Sequence, residues 1–278
     1  MGCAALALPA ALLVGAAQPV SAGHLPQPVT AGATRLAPAP NAFGLTVTGK
    51  LVRFRLNDPA GVTLVGTVVG LGQDYGLVGI DIRPQGRALY GIGDRGGVFT
   101  VDKATAAATN VGRLDDSLVG LHFGLDIDPV ENEIRVVSNA GQNISYHPDS
   151  DATTVDHLLV YPPSTTTARG AVGLAYTNSD TSGSTGTRPY VLDVQRDQLA
   201  RVSSEPDGAL RRVGALGVDA SGEGGFDAVY ALRGYAVLRT AAGSGLYTVN
   251  LGTGAATLVG MFPATMKVVD LAVPMPQP

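Results

Sequence analysis

Four aspartates recur in one local context: Asp81 in GIDI, Asp126 in GLDI, Asp227 in GFDA and Asp270 in VVDL. Asp81 and Asp126 are 45 positions apart, and the third copy, Gly173-Leu174-Ala175-Tyr176, carries alanine instead. If the copies are arranged radially, the carboxylates converge and offer hard oxygen ligands to Ca²⁺ or a polar anchor for a ligand. A repeated residue is first explained by the repeat, however. Each aspartate is expected to accept hydrogen bonds from backbone N–H groups of its own or a neighbouring unit and so lock unit to unit. No D-x-[DN]-x-[DN]-G loop argues independently for calcium.

A second group of polar residues falls in turns: Asp94 and Arg95 in GDRGG, His122, and then Asn139, Gln142 and Asn143 in SNAGQN. Amides, one imidazole and one guanidinium on a shared face suit a sugar or a peptide, because they supply directional hydrogen bonds. The competing explanation is that Asn, Asp and Gly sit there for turn geometry. It is favoured for Asn139 and balanced for Gln142 and Asn143. Arg135 stands in the apolar run IRVV and needs a carboxylate, with Asp126 or Asp128 expected to provide it as a structural ion pair rather than an anion site.

Catalytic signatures are sparse. His122, His147 and His157 show no H-E-x-x-H spacing, no G-x-S-x-G elbow is present, and the Gly-rich clusters lack the following helix that a phosphate loop requires. No catalytic residue is assigned. The function expected is non-enzymatic recognition of a protein or carbohydrate, without a cofactor. The alternative is a metal-assisted hydrolase or lyase at a channel mouth, with Asp81, Asp126, Asp227 or Asp270 as ligands and His122 as acid or base.

The elements that must position these residues are read from Leu77–Leu114, which has the form of four short strands, a to d, joined by tight turns. A second copy opens at Gly124, a third at Gly173 and a fourth at Gly225; GLYTVNLGTGAATLVG, 245–260, nearly repeats GVFTVDKATAAATNVG, 97–112. Gly44–Val69 reads as strands b, c and d without a, and Lys267–Pro274 as an a strand with nothing after it. Joined, they make a fifth unit and close a ring, which removes an exposed sheet edge. The fold expected is an all-β propeller of five four-stranded blades closed by pairing of the terminal strands. Six blades would follow if 114–123 or 153–170 held further strands, and two β-sandwiches are the architectural alternative.

The run FGLDIDPVENEIRVVSNAGQNISYHPD, 123–149, with LVGIDIRPQGRALYGIGDRGGVFTVD and GLYTVNLGTGAATLVG, resembles a family of secreted bacterial proteins known as a domain of unknown function (DUF4394). The resemblance covers nearly all of residues 43–274, and RVVS-x-x-GQN is its most specific part. It implies a propeller-like repeat and export, and supplies no activity, cofactor or catalytic residue.

The chain of 278 residues has a formal net charge of −4 with acids and bases interspersed, which disfavours nucleic acid as a partner. Residues 1–22 read as a secretory signal, an apolar run ending in Val20-Ser21-Ala22, too short and too Pro-interrupted to span a membrane. The single cysteine, Cys3, lies inside it, so an exported chain would rest on core packing rather than disulfides. Residues 23–42 read as a Pro/Ala-rich linker and 43–274 as one domain, expected to be a monomer.

Overall fold

The computed structural model describes residues 1–2, 41–228 and 230–275. All but the first two residues of the expected signal, and all but the last two of the expected linker, lie outside the described residues. The chain divides into two compact units, Met1–Ala37 and Pro38–Pro278, and all the strands below belong to the second. Every regular element among the described residues is a strand.

Short runs rich in Val, Ile, Leu and Tyr, punctuated by Gly and Asx turns, leave the chain little choice but antiparallel meanders. The first blade contributes β1 (Asn41–Thr46), β2 (Lys50–Arg55) and β3 (Asp58–Thr67). The second is β4 (Leu77–Ile82), β5 (Leu89–Gly93), β6 (Gly97–Val101) and β7 (Ala108–Arg113), and the third is β8 (Phe123–Ile127), β9 (Ile134–Ser138), β10 (Asn143–His147) and β11 (Ala152–Val155). The fourth is β12 (Ala171–Tyr176), β13 (Pro189–Asp193), β14 (Gln198–Ser204) and β15 (Ala209–Ala215), and the fifth is β16 (Gly224–Asp227), β17 (Arg233–Thr240), β18 (Gly243–Asn250) and β19 (Ala256–Met261). The last strand, β20 (Val268–Ala272), returns to pair antiparallel with β1, in the order β20-β1-β2-β3. The expected terminal closure is thus formed, with Phe43 opposite Ala272 and Leu45 opposite Asp270.

The innermost strands β4, β8, β12, β16 and β20 touch in a closed cycle, which makes the assembly a five-bladed propeller. A sixth blade is excluded. Residues 114–122 hold no strand, and 156–170 hold only single bridges of Val160 to Thr167 and Ala209. The domain also starts earlier than 43, because Asn41 opens β1 and Ala42 is buried in the core.

Five apolar clusters fill the five gaps between neighbouring blades. Leu51 and Ile80 meet between the first and second, Ile92 and Ile127 between the second and third, and Val137 and Leu174 between the third and fourth. Leu199 and Phe226 meet between the fourth and fifth, and Leu246 and Phe54 between the fifth and first. Burial falls from the innermost strand to the outermost: β12 is buried throughout, whereas β7 is largely exposed.

The centre is packed more tightly than side chains would allow. A Cβ at Gly124 would lie 2.6 Å from the backbone of Gly173, and one at Gly79 would lie 2.9 Å from Leu125 Cβ. The glycine two places before Asp81, Asp126 and Asp227 therefore lets the inner strands approach and narrows the channel to a waist.

Candidate functional site

At that waist the four aspartates act as latches. Asp270 Oδ2 accepts the Ile80 N–H at 2.8 Å, Asp81 Oδ2 the Ile127 N–H at 3.0 Å, Asp126 Oδ2 the Tyr176 N–H at 3.2 Å, and Asp227 Oδ2 the Val273 N–H at 2.5 Å. Each bond crosses to the next blade. The fourth-to-fifth junction has Ala175 in place of a latch, and apolar packing with Phe226 and Ala236 holds it instead.

Burial raises all four carboxyl pKa values, Asp227 to about 7 and the other three well above the usual carboxylate range. Repulsion between these carboxyls adds to the rise at Asp81, Asp126 and Asp270, and the backbone donors oppose it. Each of the four carboxyls already accepts a backbone N–H of the next blade, as the sequence reading of structural locks expects. Among the described residues no group of three or more His, Cys, Asp or Glu is arranged to hold a metal ion.

The turns that follow strand b, and the connections from one blade to the next, emerge on one face. Here the expected binding residues divide by what they touch. Asn139 Oδ1 accepts the N–H groups of Leu121 at 2.9 Å and His122 at 3.2 Å. Gln142 Oε1 accepts the Val119 N–H at 2.8 Å while its Nε2 donates to Ser117 O at 2.9 Å. These two amides shape the 117–122 connection. Gly120, at φ +144°, turns the chain between them.

Asn143 and Arg135 belong to a buried network. Arg135 Nη1 donates to Asn143 Oδ1 at 2.8 Å and to Asp156 Oδ2 at 2.7 Å, and its Nε lies 2.8 Å from Glu205 Oε2. The ion-pair expectation holds, but with different partners. Asp126 faces Arg135 directly in register, yet its oxygens are taken by the N–H groups of Ile127 and Tyr176. Asp128 instead accepts from the N–H groups of Val130 and Glu131.

Asp94, Arg95 and His122 reach the surface around the channel mouth. A cavity of about 470 Å³ opens there, lined among others by Val47, Tyr75, Leu121, His122, Phe123 and Glu223. Tyr75 is 79% exposed, Leu121 82% and Val47 53%, an apolar rim that no turn geometry demands. Buried Asp74 sets one side of it, accepting the Arg95 N–H at 2.6 Å and an Arg113 Nη2 at 3.1 Å. The Arg95 guanidinium then lies 4.2 Å from the Tyr75 ring centroid and donates to its hydroxyl at 2.7 Å, while Asp94 Oδ1 accepts the Tyr75 N–H at 2.8 Å.

His122 Nδ1 is buried with no hydrogen-bond partner among the described residues. Although burial works the other way, the Glu223 backbone, Arg239 and His122 hold the Glu223 carboxyl below its usual range. The mouth thus joins an apolar rim to an imidazole and a carboxylate. The sequence reading missed Tyr75, Leu121, Val47 and Glu223; the available signal was large apolar residues inside otherwise polar connections, GQDYG and VGLHF.

The opposite face carries a much smaller cavity, about 90 Å³, between Arg87, Lys103 and Met275. No helix among the described residues is long and apolar enough to cross a membrane.

A family model described as a domain of unknown function (DUF4394) matches residues 50–272. No curated protein matches the chain. Among solved structures it is similar to a chain of a nidogen/laminin complex, with TM-score 0.53 and 10% identity over 86% of this chain and 99% of that one. A structural genomics protein of unknown function from Bacteroides thetaiotaomicron gives TM-score 0.46 at 14% identity, over 80% of this chain and 58% of that one. TolB from Acinetobacter baumannii gives TM-score 0.46 at 12% identity, over 80% and 53%. At 10% identity the likeness to the nidogen/laminin chain is one of fold alone.

Proposed function

The chain belongs to the DUF4394 family, whose description names no activity, and we propose that it is a secreted binding propeller that recognises a protein or glycan chain at the channel mouth. The observation that carries this reading is the rim of Tyr75, Leu121 and Val47 around the 470 Å³ cavity. Exposed aromatic and aliphatic side chains beside directional polar groups are the composition of a recognition surface. The internal partners of Asp74, Asn139 and Gln142 pre-organise that surface, which lowers the entropy cost of binding. Export would follow from the apolar run and Val20-Ser21-Ala22 at the amino terminus.

The test screens the full chain against a random peptide display library and a glycan array, in parallel with Tyr75→Ser/Leu121→Ser and with Lys103→Ala on the opposite face. Ligands selected by the wild type are expected to bind the rim variant at least about tenfold more weakly, and Lys103→Ala unchanged. Ligands that bind the rim variant and the wild type equally would refute the reading, and the array that yields them distinguishes peptide from glycan.

A further inference from the structure

The fourth blade carries a feature unrelated to the mouth. A cavity of about 530 Å³ opens on it, lined by Tyr161, Pro162, Tyr190, Arg201, Arg211 and Arg212 together with apolar neighbours. Tyr190 is paired with Arg201 across β13 and β14, and Arg201 with Arg211 across β14 and β15, so the three form one row across the blade. Like charges directly opposite on neighbouring strands repel and destabilise a sheet. Such a pair is ordinarily relieved by a carboxylate.

None is present. All 23 Asp and Glu residues fall within the described segments, and none of them pairs with Arg201, Arg211 or Arg212. The one polar side-chain contact in the trio is Arg212 Nε to Gln198 Oε1 at 3.1 Å. Elsewhere this chain does supply counter-charges, as Asp149 does for Arg83 and Asp156 for Arg135. Three guanidiniums without a carboxylate partner thus gather around one cavity in a chain of net charge −4.

From this geometry we infer a binding site for a tetrahedral oxyanion, a phosphate or sulfate monoester, held between Arg201 and Arg211 with Arg212 at its edge. Guanidiniums match such groups through paired N–H donors. Three peripheral oxygens let either ester accept from both opposed guanidiniums at once, and the second negative charge of the phosphate ester suits the pair further. The cavity is larger than a bare ion, so the ester's carrier is accommodated beside Tyr161 and Pro162.

The experiment is thermal unfolding of the full chain at low ionic strength with glucose 6-phosphate, glucose 6-sulfate, inorganic phosphate, inorganic sulfate, or glucose as the neutral control. The monoesters are expected to raise Tm saturably, by about 3 °C or more at roughly twenty times Kd, and glucose not at all. The two esters separate phosphate from sulfate recognition, and the bare ions show whether the carrier contributes. Arg211→Gln is expected to remove the ligand-induced rise and, without ligand, to raise Tm by relieving the repulsion from Arg201. A purely structural Arg211 would give a lower Tm on substitution. That result, or a rise undiminished in Arg211→Gln, or no saturable rise with either ester, would overturn the inference.

Discussion

The waist and the mouth of the channel are built by the same inner strands, a few residues apart, and they use polar groups in opposite ways. At the waist Asp81, Asp126, Asp227 and Asp270 are buried and bonded to the next blade's backbone. At the mouth Tyr75 and Leu121 stand almost fully in solvent, and His122 Nδ1 has no partner among the described residues. The waist residues repeat from blade to blade and the mouth residues do not. Repetition marks what every blade needs in order to hold its neighbour, whereas departures from the repeat mark what one place on the molecule does.

That contrast can be broken at several levels. The largest effect is expected from Gly124→Val, which forces a side chain against the Gly173 backbone. Because neither strand can yield without opening the ring, a loss of about 3 kcal/mol or more is expected in urea unfolding. Asp126→Ala removes the acceptor for the Tyr176 N–H and is expected to cost about 1–3 kcal/mol. Asp126→Asn keeps an acceptor there without the ionisable group and is expected to cost less than about 1 kcal/mol. The smallest effect belongs to the mouth. Tyr75→Ser/Leu121→Ser is expected to shift unfolding by no more than about 0.5 kcal/mol per substitution while still weakening ligand binding. A large loss of stability in the rim variant would place the rim with the waist and erase the distinction.

Much of the waist was legible in the sequence because it is periodic. The GIDI, GLDI and GFDA copies located both the inner strands and the aspartates, and the incomplete ends of the repeat announced the closure through β20. Arg135 shows where periodicity stops helping. Its register with Asp126 is as a two-strand reading suggests, but its carboxylates come from Asp156, in an inter-blade connection, and Glu205, in a turn of the next blade. Such contacts depend on how blades twist against one another. The rim was hidden for a related reason: an exposed Tyr or Leu in a loop has no periodic signal, and only the ring brings residues 47, 75, 121 and 223 around one opening.

The central claim, that the waist carboxyls are structural latches whose pKa values burial raises, predicts a particular pH dependence. Their folded pKa values lie above the unfolded carboxylate value, so their contribution is complete below about pH 4 and is lost as pH rises. For Asp227 the loss runs through about 7, and for the other three through folded values well above the usual carboxylate range. Asp102, Asp149 and Glu223 have lowered pKa values and contribute in the opposite sense, losing their stabilisation as pH falls below the ordinary carboxylate range. The decisive measurement is the urea-unfolding free energy of the wild type and Asp126→Asn at about pH 5 and about pH 8. The latch account predicts a wild type more stable at the lower pH and a smaller pH difference in Asp126→Asn. A wild type equally or more stable at the higher pH, with the same profile in the variant, would contradict it.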